Sequence, residues 1–121
     1  MREHRITLAD DDEEALFLLH RMIERLYPHS SVSMFSNAED ALAHIRNMGT
    51  DILITNHGMG KMTGTEMIRI LRAQKVEIPI VMLSGDPAVR KEAEKAGANA
   101  FVEKSLDTQS LEECIRGLLP D

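Results

Sequence analysis

With 121 residues, 13.6 kDa, 43% hydrophobic and 28% charged residues, the chain has the size and composition of one folded domain, and disorder is excluded. A formal net charge of −6 and a pI near 5.3 oppose general attraction to nucleic acid or anionic lipid, so neither direct nucleic-acid binding nor a membrane partner is expected. The single cysteine, Cys114, excludes an intramolecular disulfide and a cysteine-based zinc cluster.

Arg5 to Ala9 reads as a short strand ending in the acidic run Asp10 to Glu14. Ala15, Leu18, Leu19, Met22, Ile23 and Leu26 recur at helical spacing, predicting a helix that faces inward through them and stops before Pro28. Ser31 to Phe35 alternates as a second strand, and Ser36-Asn37-Ala38-Glu39 is expected as a capping box. The helix behind it turns Ala38, Ala41, Leu42 and Ile45 inward and ends at Gly49. Asp51 to Thr55 is a third, apolar strand. Thr63-Gly64-Thr65-Glu66 is a second capping box, for a helix burying Met67, Ile68 and Leu71.

Ile78 to Leu83 follows as a fourth strand, with Pro79 tolerable only near its start. Asp86-Pro87 is a helix cap with proline in the first turn, and Gly97 closes that helix. Ala100 to Val102 is a fifth strand, and Asp107 is expected to cap a last helix burying Leu111, Ile115 and Leu118. In that helix Cys114 is expected as a buried small hydrophobe. With aromatics at 3%, the core rests on aliphatic residues, and the eight methionines suit packing between helices and sheet. Five strand–helix alternations call for a mostly parallel sheet covered on both faces. No repeat or linker divides the chain, so residues 1–121 are read as one domain. No signal peptide or apolar run of membrane-spanning length is visible, making the cytoplasm the default location.

Open α/β sheets place ligand sites at the C-terminal ends of their strands. Asp10-Asp11, Asn56, Ser84 and Lys104 all fall at such ends here. Two adjacent carboxylates are costly to hold without a cation. With a loop carbonyl they offer hard oxygen ligands suited to Mg²⁺. The acids Asp12, Glu13 and Glu14 need no such partner, because they complement the positive end of a helix dipole. His57 is expected as an exposed loop residue, since the other four histidines show no ligand spacing. No Gly-x-Ser-x-Gly elbow supports a hydrolytic triad of Ser84, His57 and Asp10.

The ordered set resembles the receiver domain of two-component response regulators over essentially the whole chain. The family's acid pair falls on Asp10 and Asp11, its strand-end hydroxyl on Ser84, its switch aromatic on Phe101 and its lysine on Lys104; Met62-Thr63-Gly64 carries its Met-x-Gly loop pattern. The resemblance implies a flavodoxin-like (βα)₅ three-layer sandwich with strand order 2-1-3-4-5. It also implies phosphoryl transfer to an aspartate after the third strand, assisted by Mg²⁺ on Asp10, Asp11, residue 56 and Gly58. Partners would be a histidine kinase or a downstream signalling protein. A homodimer would use the face formed by Val89 to Ala96, Phe101 to Glu103 and Gln109 to Gly117.

At the decisive position the chain has Asn56, whose carboxamide offers no useful nucleophile, so the acyl-phosphate chemistry is expected to fail. Mg²⁺ binding is expected to be weak for want of one charge. Gly60, Thr63 and Ser105 stand where the family usually has proline, aspartate and proline. A cis Lys104–Ser105 bond would cost ~3–4 kcal/mol, so a trans bond is expected. The reading is a phosphorylation-independent interaction switch with no enzymatic activity, in which Ser84, Phe101 and Lys104 form the switch. Two alternatives stay open: a phosphorelay receiver whose natural chain has aspartate at 56, and a small phosphotransferase or hydrolase using Asp10 as nucleophile. No output domain is expected after Asp121, so the protein is expected either to work alone or to be part of a longer chain.

Overall fold

The computed structural model of the chain describes residues 3–105 and 108–120. Among them five strands, β1 (Arg5–Ala9), β2 (Ser31–Phe35), β3 (Ile52–Thr55), β4 (Ile80–Ser84) and β5 (Ala100–Glu103), form one sheet in the order β2-β1-β3-β4-β5. Every pairing is parallel. The helices α1 (Glu13–Leu26), α2 (Ala38–Met48), α3 (Gly64–Ala73), α4 (Arg90–Ala96) and α5 (Gln109–Leu118) cover both faces. This is the flavodoxin-like (βα)₅ sandwich and strand order expected from the sequence.

Strand periodicity divides the core in two. Leu53, Ile80, Met82 and Phe101 turn to one face, where α2, α3 and α4 pack through Ala41, Ile45, Met67, Leu71 and Ala93. Ile52, Ile54 and Val81 turn to the other, against Leu19, Met22 and Ile23 of α1 and Leu111 and Ile115 of α5. All four residues of β3 are buried, which is why that segment is continuously apolar. From β1 the chain passes to β2 on one side, and β3 then lies on the other. The crevice between the ends of β1 and β3 is therefore the switch point of the sheet, where such folds bind ligands.

Several local expectations shift. In α1, Leu16 is buried and Leu18 is 59% exposed, reversing the inward assignment of Leu18. The cap of α2 is Asn37, whose side chain accepts from the Asp40 N–H at 2.8 Å; Ser36 lies one residue too early. The box at Thr63 and Glu66 forms as expected. Asp86 accepts from the Ala88 N–H and opens a 3₁₀ turn, Pro87–Val89, ahead of α4. Gly97 closes α4 with φ of 117°, a left-handed conformation that favours glycine. In α5 Leu111 and Ile115 are buried while Leu118 is only partly so, and Leu119 beyond the helix is buried. Cys114 is half-buried, and desolvation pushes its thiol pKa up. The proposed cap Asp107 lies outside the described residues.

Candidate functional site

Backbone hydrogen bonds anchor each side chain of the crevice. Asp10 follows β1, and its N–H donates to the Phe35 carbonyl at 3.0 Å, tying the acidic loop to the end of β2. Asn56 follows β3, with its N–H donating to the Ala9 carbonyl at 2.9 Å. The Asn56 carbonyl is held from two sides: it accepts from the Thr55 hydroxyl at 2.9 Å, and Gly64 presses against it so closely that an added Cβ would lie 1.9 Å away. Glycine at 64 is thus required by a backbone approach, although it starts a helix where it is intrinsically poor. Lys104 follows β5, and its N–H donates to the Ser84 carbonyl at 2.9 Å. The Lys104–Ser105 peptide is trans.

These anchors bring five of the expected groups together. Lys104 Nζ lies 2.7 Å from Asp10 Oδ2, an ion pair in which the Asp10 side chain is only 5% exposed. Asn56 Nδ2 donates to Asp10 Oδ1 at 3.3 Å, to Asp11 Oδ1 at 3.4 Å and to the Gly58 carbonyl at 3.1 Å. Asp10 Oδ1 also accepts from the Asp12 N–H at 3.0 Å. Ser84 is buried at the neighbouring strand end, where its hydroxyl oxygen accepts from the Asp86 N–H at 3.1 Å. Asp12 is a helix cap, its carboxylate accepting from the N–H groups of Glu14 and Ala15, as dipole complementarity implies. Among the described residues no group of three or more His, Cys, Asp or Glu side chains is placed to hold a metal.

One residue behaves differently from its sequence reading. His57 is not a free loop residue: it is half-buried, and its Nδ1 shares a 2.8 Å hydrogen bond with the Thr65 hydroxyl, pinning the loop to α3. Phe101 turns inward, 8% exposed, with the Arg90 guanidinium 4.9 Å above its ring. Neither Arg90 nor Thr65 carries a sequence signal for these contacts, because both depend on α3 and α4 docking beside the sheet. Glu66 closes the Thr63 cap, and hydrogen bonding from the Thr63 backbone, then from its side chain, holds its carboxyl below the usual range.

The family profile described as the response regulator receiver domain matches residues 6–116. The Heme response regulator HssR of Staphylococcus saprophyticus is 32% identical over 114 residues, covering 93% of this chain and 50% of that protein. Transcriptional regulatory protein FixJ of Rhizobium meliloti is 31% identical over 117 residues, covering 95% and 56%. The chain spans about half the length of these two regulators. Among solved structures, response regulator protein TrrA from Thermotoga maritima, in complex with Mg²⁺-BeF, superposes with a TM-score of 0.88 at 25% identity, covering 96% of this chain and 99% of that one. No helix among the described residues is long and apolar enough to cross a membrane. With its fold, strand order and profile match in agreement, this chain belongs to the response regulator receiver domain family.

Proposed function

We propose that this chain is a receiver whose state is independent of phosphorylation at residue 56, and that residues 1–121 act as one protein-interaction module. The observation that carries the reading is the Asn56 carboxamide. Its Nδ2 sits among Asp10 Oδ1, Asp11 Oδ1 and the Gly58 carbonyl, donating to all three. Two N–H bonds directed at three oxygens do in neutral form what a bound cation would do with charge. Lys104 supplies the positive charge on the other oxygen of Asp10. The switch would then hold one state without a phosphodonor.

The oxygens themselves suit Mg²⁺: Asp10, Asp11, the Gly58 carbonyl and, after rotation of the amide, the Asn56 oxygen would hold it. When bound, the ion would offset carboxylate repulsion. Binding has to displace three hydrogen bonds and proceeds with one carboxylate fewer than three, so it is weak. Partners are a histidine kinase or a downstream signalling protein, approached through the α4–β5–α5 face, which is also the candidate homodimer surface. Switching at that face involves Ser84, Phe101 and Lys104.

Intact-mass measurement after incubation with Mg²⁺ and acetyl phosphate tests the reading. The expected spectrum is that of unmodified protein. A stable adduct of about 80 Da, the mass of one phosphoryl group, overturns it.

A further inference from the structure

We propose that Arg90 is a catch that holds the Phe101 ring inward and thereby keeps the α4–β5 face closed. Two observations converge. The guanidinium carbon of Arg90 lies 4.9 Å from the ring centroid, within the range of a cation–π contact. An open cleft of about 340 Å³ lies against the same ring, bounded by Arg90, Phe101, Glu103 and Ser110, and it offers room for a ring that has left the core. Arg90 is the first residue of α4, directly after the 3₁₀ turn that Asp86 caps, so its side chain leaves from the helix entry. Ring position and helix entry are therefore joined through one surface arginine.

The far end of α4 contrasts with this. There Arg72 of α3 donates to the Gly97 carbonyl at 3.0 Å, the Val76 carbonyl at 2.7 Å and Asn99 Oδ1 at 2.8 Å. That end is stapled to its neighbours by hydrogen bonds, whereas Arg90 meets the ring through a cation–π contact. Glu94, one turn on, lies 4.0 Å from Arg90 and competes for the same charge. A carboxylate offered by a partner would compete in the same way. The catch is local to this face and does not need the Asn56 reading to hold.

The chain has three phenylalanines, so ring-¹³C phenylalanine gives an NMR spectrum with three assignable ring systems. Phe17, 58% exposed, and the half-buried Phe35 serve as internal standards for access by a soluble paramagnetic probe. Arg90→Gln keeps a long polar stem without the charge and is expected to raise the outward population of Phe101 about two- to five-fold, the worth of an exposed cation–π contact. Arg90→Ala is expected to do at least as much. Glu94→Gln, which frees Arg90 for the ring, is expected to lower probe access at Phe101 or leave it at the parent value. Unchanged Phe101 shifts and probe access in Arg90→Gln, with Phe17 and Phe35 at their parent positions, overturn the proposal. A rise in Arg90→Ala alone also overturns it, because the stem and not the charge would then be acting.

Discussion

Strands β1 and β3 bring polar groups together at both of their ends, and the two ends are built differently. At the N-terminal edge the Arg5 N–H donates to Asp51 Oδ2 at 2.8 Å, its guanidinium reaches Asp51 Oδ1 at 3.4 Å, and it also donates to the Met48 carbonyl at 2.9 Å. Beneath this, the buried Thr7 hydroxyl donates to Thr50 Oγ1 at 2.8 Å. One cation meets one anion, and hydroxyls meet hydroxyls or carbonyls. At the C-terminal edge two carboxylates, Asp10 and Asp11, meet one ammonium, Lys104, and one neutral amide, Asn56. The same strand spacing serves both edges. A balanced set makes a pin, while a set with negative charge left over can respond to a cation.

The largest expected effect comes from restoring the missing charge. Asn56→Asp puts a third carboxylate against Asp10 and Asp11 in place of three hydrogen bonds. In the absence of divalent ions it should lower stability by about 2 kcal/mol, as like charges near a protein surface do. Mg²⁺ at a hundredfold excess over its Kd should return about 2.7 kcal/mol by mass action. Thermal melts with Mg²⁺ and with chelator check both halves, with the parent expected to be nearly insensitive. A variant as stable as the parent and equally blind to Mg²⁺ would reduce the C-terminal edge to a second pin.

The complementary change belongs at the other end. Thr50→Val removes the acceptor of the Thr7 hydroxyl and leaves that buried group without its partner, costing about 1–2 kcal/mol. This loss should be the same with Mg²⁺ and with chelator, since no net charge is involved. Denaturant unfolding under both conditions measures it. A Mg²⁺-dependent loss would mean that the two edges are coupled through β1 and β3, and their separation would have to be abandoned.

Much of this arrangement is legible in the sequence because the sheet imposes it. A buried parallel strand must be continuously apolar, so Ile52 to Ile54 locates both of its ends, and the polar residues beyond them fall at the edges. The inward face of α1 is less determined. Ala15 through Leu19 are five consecutive apolar residues, so helical spacing allows more than one phase, and only docking on the sheet selects Leu16 over Leu18. Ser36 and Asn37 are both good caps, and the path of the chain leaving β2 decides for Asn37. Contacts between distant elements are silent in the sequence. His57 with Thr65, Arg90 over Phe101, and Gly64 against the Asn56 carbonyl each depend on how two separately read elements meet.

The smallest expected effect lies beside the C-terminal edge and distinguishes local charge from the charge of the crevice. Glu66 is an exposed carboxylate whose pKa is lowered mainly by accepting from the Thr63 N–H, with a further contribution from the Thr63 side chain. Its folded pKa lies below its unfolded one, so its contribution is present above the unfolded pKa and is lost as pH falls through the folded value. Glu66→Gln can still accept from the Thr63 N–H but has no charge to lose. Melting curves from neutral into the acid range should therefore show the parent losing its small advantage over Glu66→Gln, with the difference closing once the carboxylate is protonated. The same offset between parent and variant at every pH would show that the cap acts through geometry alone. Charge at this edge would then matter only within the crevice.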